Sequence, residues 1–336
     1  MFRLICMTPF ALLSTRAQIL RLRQDALRIL EQYPIGVARL RCISHSFNTI
    51  FRVDTTDGLK FALRINVNSR RPMAALNAEI AWLEALSQDT DLILPQPQVR
   101  KDGLYISSFY SNALGRDTVA VLFSWLSGND LGSKATVQQL QATGAALKTL
   151  HTQAANWRIP EGCQFQNAQD IFIDSKVVIF ETPMPETRLE VFKASYQKVQ
   201  AIHQQLYLRF QAQPLHADLH LWNTKWFKGH LSVFDFDDSA TGVPLQDFGI
   251  SIFYLRRFQN SAELEHGLLT GYGHLPNYNQ AELEAIIAGR QLLLANDLLI
   301  NETAALQAQR QSYLETAEQR LRGYLETGIF PRAAIQ

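Results

Sequence analysis

Residues 216–223 read HADLHLWN and place a carboxylate, Asp218, five positions before a carboxamide, Asn223. Twelve positions after that amide comes the triplet Asp235-Phe236-Asp237. Phosphoryl transfer uses such a set, because one carboxylate accepts the proton of the nucleophile while an amide and a second carboxylate hold Mg²⁺ against nucleotide phosphates. Mg²⁺ prefers oxygen ligands of this kind. The alternative is a turn in which Asp218 and Asn223 make only side-chain-to-backbone hydrogen bonds.

Two β-like segments, residues 224–227 and 231–236, must bring these groups together. They are joined by Lys228-Gly229-His230, which is typical of a hairpin turn. Since paired strands lie about 4.8 Å apart, a tight hairpin places Asp235, at the end of its second strand, beside Asn223.

The spacing of residues 216–223 fits the H-x-D-L-x-x-x-N pattern of kinase catalytic loops, with Ala217 where protein kinases carry arginine. Together with VFDFDD at 233–238 and GVPLQD at 242–247, it resembles the aminoglycoside phosphotransferase superfamily, which includes choline, homoserine and fructosamine kinases and some atypical protein kinases. The resemblance implies ATP and Mg²⁺ as cofactors. It implies Asp218 as the catalytic base, Asn223 and Asp235 as metal ligands, and Asp247 as a brace for the loop.

Three neighbouring side chains have open interpretations. Asp237 either binds a second Mg²⁺ or caps a turn. His216 is expected to brace the loop, and His220 is expected to be a loop residue. A metallohydrolase that binds Zn²⁺ or Mn²⁺ through His216, Asp218 and His220 is the competing chemistry.

An ATP site needs cationic groups, and the segment Phe61-Ala62-Leu63-Arg64 stands where such folds carry V-A-I-K, with Arg64 in place of lysine. Arginine keeps the charge and forks onto phosphate oxygens, although it is not equivalent to lysine. Lys60, on the same strand face, is the alternative phosphate contact.

The helix predicted after this strand carries Glu79 within its apolar stripe. A carboxylate there is costly unless paired, so we predict an ion pair with Arg64 or Lys60, the alternative being a rim position in solvent. The chain has no G-x-G-x-x-G loop; the turn 44–48, with Ser46, takes its place as the candidate phosphate contact.

The order of elements predicts an α+β protein with two lobes, and the resemblance implies a protein-kinase-like fold. A helix at 15–32, short strands and a helix at 72–87 make a small antiparallel-sheet lobe over residues 1–123 that binds nucleotide. Residues 124–336 make a larger, mainly helical lobe for catalysis and the acceptor, with helices at 136–151, 188–211, 261–272, 280–300 and 303–327.

Composition narrows the partners of this 336-residue chain. Its 32 Lys and Arg against 31 Asp and Glu argue against a nucleic-acid or polybasic membrane binder. Cys6, Cys42 and Cys163 are widely spaced, which favours reduced thiols and a cytoplasmic location. The N-terminal apolar stretch is interrupted by Pro9 and is interpreted as part of the mature protein, with Met7 as an alternative start. The sequence leaves a monomer or a homodimer open.

The resulting hypothesis is ATP-dependent phosphorylation of a hydroxyl group on a small metabolite or amino alcohol. Asp237, Asp238 and Asp174 are acids that would attract a cationic acceptor. The alternatives are an atypical Ser/Thr protein kinase of the same superfamily and a nucleotide-binding pseudokinase, the latter favoured by Arg64 and the missing glycine loop.

Overall fold

The structure is a computed structural model that describes residues 8–173, 175–274 and 278–332. Asp174, Cys6 and both candidate start methionines lie outside the described residues. The chain divides into two compact units. The first comprises the described part of Met1–Pro72 with Pro95–Trp125 and Ile300–Gln311, and the second comprises Met73–Leu94, Leu126–Leu299 and the described part of Ser312–Gln336.

The first unit is built on one five-stranded sheet in which every neighbouring pair is antiparallel. Its spatial order is β1-β2-β3-β5-β4. The strands are β1 (Val37–His45), β2 (Thr49–Thr55), β3 (Lys60–Ile65), β4 (Ile106–Ser111) and β5 (Arg116–Ser124). Buried and half-buried residues alternate along β2, as expected for a strand with one face on the core.

Helix α1 (Thr15–Leu30) covers one face of this sheet. Ser14 caps its first turn by accepting a hydrogen bond from the Ala17 N–H. Leu22, Ala26 and Ile29 are fully buried and share one core with Phe51, Val53 and Leu63 of the sheet. The i, i+4, i+7 spacing of the helix residues produces this apolar face.

The segment Ile300–Gln311 completes the first unit. Thr303 Oγ1 donates to the Ser46 carbonyl at 2.5 Å. Asn68 Nδ2 also reaches that carbonyl, at 3.2 Å, and the Thr303 hydroxyl at 3.1 Å. The turn between β1 and β2 is therefore held by residues that are far apart in the sequence.

The second unit is mainly helical, with seven named helices in the described ranges. These are α2 (Met73–Asp89), α3 (Val137–Asn156), α4 (Glu186–Arg209), α5 (Pro244–Leu255), α6 (Ser261–Tyr272), α7 (Gln280–Ile300) and α8 (Ala304–Thr327); Ile300 of α7 and the first turns of α8 belong to the first unit.

Two small sheets carry the connections between these helices. In one, β9 (Thr224–Phe227) lies between β10 (His230–Val233) and β6 (Asn129–Asp130). In the other, β11 (Ala240–Gly242) lies between β7 (Gln166–Asn167) and β8 (Gln213–Leu215). The loop 216–223 runs from one sheet to the other.

The α+β prediction is confirmed, and the predicted helices 261–272 and 280–300 match α6 and α7. Helix α5 was not predicted, because its run of apolar residues has no polar side to give a helical period. The second hairpin strand ends at Val233, so the expectation that it carries Asp235 is wrong.

No helix in the described ranges has the length and apolar character to cross a bilayer. Cys42 and Cys163 are free thiols, and burial raises the pKa of each.

Candidate active site

Asp247, in the first turn of α5, anchors the start of the loop 216–223. Its buried carboxylate accepts hydrogen bonds from the backbone N–H groups of His216 (3.2 Å) and Ala217 (2.7 Å). His151 Nε2 lies 3.0 Å from the same carboxylate. A carboxylate is favoured at this helix N-terminus by the helix dipole. These are the bracing contacts that the resemblance implied for Asp247.

Ala217 has φ of +60°, which a residue with a Cβ rarely adopts. The Asp247 hydrogen bonds to residues 216 and 217 hold the chain in this conformation. Further along the loop, the Leu219 carbonyl accepts a hydrogen bond from Ser251 Oγ at 2.7 Å. The surrounding contacts thus stabilise a strained backbone directly before Asp218, and such strain clusters at functional sites.

His216 links the loop to the strand end that precedes Asp235. Its Nε2 donates to the Phe234 carbonyl (3.0 Å), and its Nδ1 accepts from the Asp218 backbone N–H (3.3 Å). This tautomer is assigned from the two partners. Burial lowers the pKa of His216, against the opposing charge of Asp247, which favours the neutral ring that one donated and one accepted bond require. The bracing role predicted for His216 agrees with these contacts.

The Asp218 carboxylate receives four donors. Asn223 Nδ2 lies 3.0 Å and His220 Nε2 3.5 Å from Oδ2. The Arg290 guanidinium and the Tyr254 hydroxyl, the latter at 3.4 Å, reach Oδ1. These groups fix the direction in which the carboxylate faces.

The charge on Asp218 follows from the same neighbours. Burial raises its pKa, but the opposing charge of Arg290, and then of His220, outweighs burial and holds the pKa well below its usual range. Asp218 is consequently ionised at neutral pH and acts only as a hydrogen-bond acceptor.

Asn223 is oriented by Asp218. Its Nδ2 donates to the Asp218 main-chain carbonyl at 2.9 Å as well as to the carboxylate. Since both amide hydrogens are used, the planar group directs Oδ1 away from Asp218. That oxygen is a hard donor of the kind that Mg²⁺ takes.

The hairpin brings the main chain directly before Asp235 to Asn223, whereas the role of Asp235 as a metal ligand stays a prediction. Val233 pairs with Thr224, and the Phe234 N–H donates to the Asn223 carbonyl at 3.0 Å. Asp235 itself has φ of +67° and precedes a short 3₁₀ turn over Phe236–Asp238. Asp237, in that turn, is buried. The donor set of an amide oxygen and two carboxylates fits a divalent cation with oxygen preference.

A zinc-type site at His216, Asp218 and His220 does not fit the contacts. Both ring nitrogens of His216 are bonded to backbone groups, and His220 Nδ1 accepts from the Trp222 N–H at 3.1 Å. Among the described residues, no three or more His, Cys, Asp or Glu side chains are grouped so as to hold a metal.

The predicted nucleotide contacts lie in the first unit. Arg64 is buried on β3 with its guanidinium 5.3 Å from the centre of the Phe123 ring. Lys60 begins the same strand and is exposed. The Ser46 N–H donates to the Asn48 carbonyl at 3.1 Å within the turn between β1 and β2.

Glu79 is buried on α2, as its place in the apolar stripe indicated, and belongs to the second unit. Its pairing with Arg64 or Lys60 stays a prediction. The phosphate contact proposed for Ser46 and the boundary between lobes at residue 123 also stay predictions.

Sequence reasoning missed Arg290 and Tyr254, which both contact the Asp218 carboxylate. The Arg290 Nη2 lies 3.0 Å from the Tyr254 hydroxyl, and the Arg290 side chain is 4% exposed. A signal was present: Arg290 interrupts a long apolar run in α7, and a charge in such a run needs a buried partner.

Comparison with solved structures shows a protein-kinase-like fold. An amicoumacin kinase in complex with AMP-PNP, Ca²⁺ and Ami has a TM-score of 0.71 and 18% identity, covering 88% of this chain and 93% of that one. A microcompartment-associated aminopropanol kinase has a TM-score of 0.73 and 20% identity, with 92% and 99% covered. A choline/ethanolamine kinase family protein from Mesorhizobium loti has a TM-score of 0.61 and 18% identity, with 92% and 94% covered.

Comparison with curated proteins finds no match. The model of the phosphotransferase enzyme family, APH, matches residues 42–284, a span that includes the strand with Arg64, the loop 216–223 and Asp247. The resemblance inferred from the motifs is confirmed, and this chain belongs to the APH phosphotransferase family of kinases.

Proposed function

We propose that this chain transfers the γ-phosphoryl group of ATP to a hydroxyl group of a small molecule, with Asp218 as the base. The observation that carries the proposal is the Asp218 carboxylate, which is ionised by Arg290 and aimed by Asn223 and His220. A fixed carboxylate orients the acceptor hydroxyl for in-line attack and takes its proton as the new P–O bond forms.

Asn223 and Asp235 would hold Mg²⁺, with Asp237 as a further ligand or as a turn residue. The ion would neutralise charge on the transferring phosphoryl group. The protein's own part is to keep Asn223 Oδ1 directed away from Asp218, so that the base and the metal ligand do not compete.

Arg64, in the first unit, is the proposed phosphate contact, with Lys60 as the alternative. Glu79, on α2 of the second unit, is the carboxylate proposed to pair with that cation. The backbone of the turn with Ser46 would cover the phosphates. The acceptor is a small metabolite or amino alcohol, which the names of the structural neighbours favour over a protein Ser/Thr substrate.

Two observations favour a second candidate, a nucleotide-binding pseudokinase. Arg290 is ion-paired with the candidate base Asp218, and arginine stands at position 64, where such folds carry a lysine. In this alternative the chain binds ATP and does not turn it over.

The test is ADP formation from Mg-ATP across a panel of hydroxylated small molecules, with the product identified by ³¹P NMR. We expect Asp218→Asn to lower kcat by about 10²–10⁴-fold, the usual contribution of a general base. Asp91→Asn, the same change at an exposed aspartate, is the matched control. Equal turnover in both variants contradicts the proposal, and ATP binding without turnover in the unmodified protein favours the pseudokinase.

A further inference from the structure

Two arginines around the end of α5 have no acidic partner among the described residues. Within residues 8–173, 175–274 and 278–332, neither Arg257 nor Arg320 makes an ion pair. Their neighbour Arg256, in contrast, is paired with Glu284 at 2.5 Å. Arg320 is half-buried, and a guanidinium removed from water in this way normally has an acidic partner.

Contacts place both arginines around the end of α5. The Arg320 guanidinium lies 5.1 Å from the Phe330 ring centre and 5.8 Å from that of Phe253. Phe253 precedes Tyr254, the residue whose hydroxyl reaches Asp218. Arg257 follows the same helix, and its side chain is exposed.

The Tyr313 hydroxyl lies within the electrostatic influence of several arginines. Gln291 Nε2 donates to it at 3.0 Å. Burial raises the pKa of Tyr313 to about 12, against the Gln291 hydrogen bond and the charges of Arg290, Arg257 and Arg320. Burial and the neighbouring Arg257 charge lower the pKa of Arg320. Three cations therefore act on one buried hydroxyl, and only Arg290 of the three has an ion-pair partner, Asp218, among the described residues.

Arg290 also retains donor capacity. Its Nη2 serves Asp218 and Tyr254. Its Nε is buried and makes no hydrogen bond within the part of the chain that the structure describes. A buried donor without an acceptor indicates a missing partner, and Arg290 both contacts the base and acts on the same Tyr313 hydroxyl as Arg257 and Arg320.

We propose that the acceptor carries an oxyanion, a carboxylate or a phosphate, in addition to its hydroxyl, and that Arg257, Arg290 and Arg320 bind it. This rests on the proposed function and narrows it from small alcohols in general to anionic ones. Arginine suits the task because its planar donors match both oxyanions. Binding would supply a counter-charge to Arg257 and Arg320 while the acceptor hydroxyl faces Asp218.

The first experiment compares acceptors that share a three-carbon chain and differ in their end groups: 1,3-propanediol, 3-amino-1-propanol, 3-hydroxypropanoate and 3-hydroxypropyl phosphate, with Mg-ATP. We expect kcat/KM for at least one anionic compound to exceed that for the diol and the amine by tenfold or more. The carboxylate and phosphate arms separate the two oxyanions. A preference for the amine or the diol overturns the inference and leaves the proposed function standing.

The second experiment uses Arg257→Gln and Arg320→Gln. Each should reduce the preference for the anionic compound over the diol by about tenfold, the effect of one lost charge-assisted contact of about 1.4 kcal/mol. Arg322→Gln, on the same helix as Arg320 but paired with Glu318 at 2.9 Å, should keep the full preference. Unchanged preference in Arg257→Gln, an exposed site where folding is not at risk, overturns the inference.

Calorimetric binding of malonate and of inorganic phosphate separates this inference from the proposed function, because it needs no turnover. Anion binding that is lost in Arg257→Gln and kept in Arg322→Gln supports the anion site even if no compound in the panel is phosphorylated. Binding that is absent, or equal in both variants, overturns it.

Discussion

The side-chain amide of Asn223 donates both of its hydrogens to Asp218, one to the main-chain carbonyl at 2.9 Å and one to the carboxylate at 3.0 Å. One residue thereby aims the candidate base and fixes the direction of its own amide oxygen. The proposed proton acceptor, Asp218, and the proposed metal ligand, Asn223, are therefore held in a fixed orientation by the same pair of hydrogen bonds.

Replacement of this amide by a carboxylate tests that unit. Asn223→Asp removes both donors and sets a second negative charge against Asp218, so we expect kcat to fall by at least about 10²-fold and the Mg²⁺ concentration for half-maximal rate to change. Asn156→Asp, at an exposed position, is the control. Steady-state kinetics against Mg²⁺ would show the difference, and wild-type kinetics in Asn223→Asp would exclude the shared role.

Arg290→Met should raise the pKa of Asp218, because burial then acts without its strongest opposing charge. The carboxyl must be ionised to act as a base, so activity should be lost at a higher pH than in the unmodified protein as the pH falls. We expect the acid limb of kcat/KM to move up by at least about one pH unit. Tyr254→Phe, which removes only a hydroxyl at 3.4 Å, should move it less. Coincident limbs in all three proteins would show that Arg290 does not control the base.

We expect the folded protein to lose stability in mild acid because of buried His203. Burial lowers its pKa to about 4 from 6.5, against a weaker effect of the Gln169 backbone. The unfolded chain therefore binds a proton between pH 6.5 and 4 that the folded chain does not, and the free energy of unfolding falls as the pH falls through this window. The loss approaches about 3 kcal/mol at its acid end. Urea denaturation at pH 7 and pH 5 should show a smaller loss for His203→Leu, whereas exposed His230→Gln should keep the wild-type loss.

Lys228 occupies the hairpin turn with φ of +49°, followed by Gly229 at +87°. This turn geometry favours asparagine at its first position. Lys228→Asn should increase the free energy of unfolding by about 0.5 kcal/mol. The same change at exposed Lys193 within α4 should lower it by a similar amount, because asparagine is a poorer helix former. Opposite signs in denaturation curves check the prediction; equal signs would contradict it.

Local patterns were sufficient for most elements. The hairpin that returns to Asn223 could be predicted from its turn residues, and the helical stripe predicted the buried position of Glu79. The contact of Asp218 with Arg290 could not be predicted from local patterns, because Arg290 lies 72 positions later and only the tertiary fold makes it a partner. The strand β1 was missed, since most of its residues are half-buried or exposed and it lacks a clear alternation.

Discontinuity of the first unit has a consequence for biosynthesis. Its sheet is complete at Ser124, yet the residues that hold the turn at Ser46, Thr303 among them, belong to Ile300–Gln311. At about 5–20 residues per second, the ribosome needs on the order of 10–35 s to reach them. During that interval Asn68 holds the candidate phosphate-covering turn, and the hydrogen bond from Thr303 is added only when most of the polypeptide has been made.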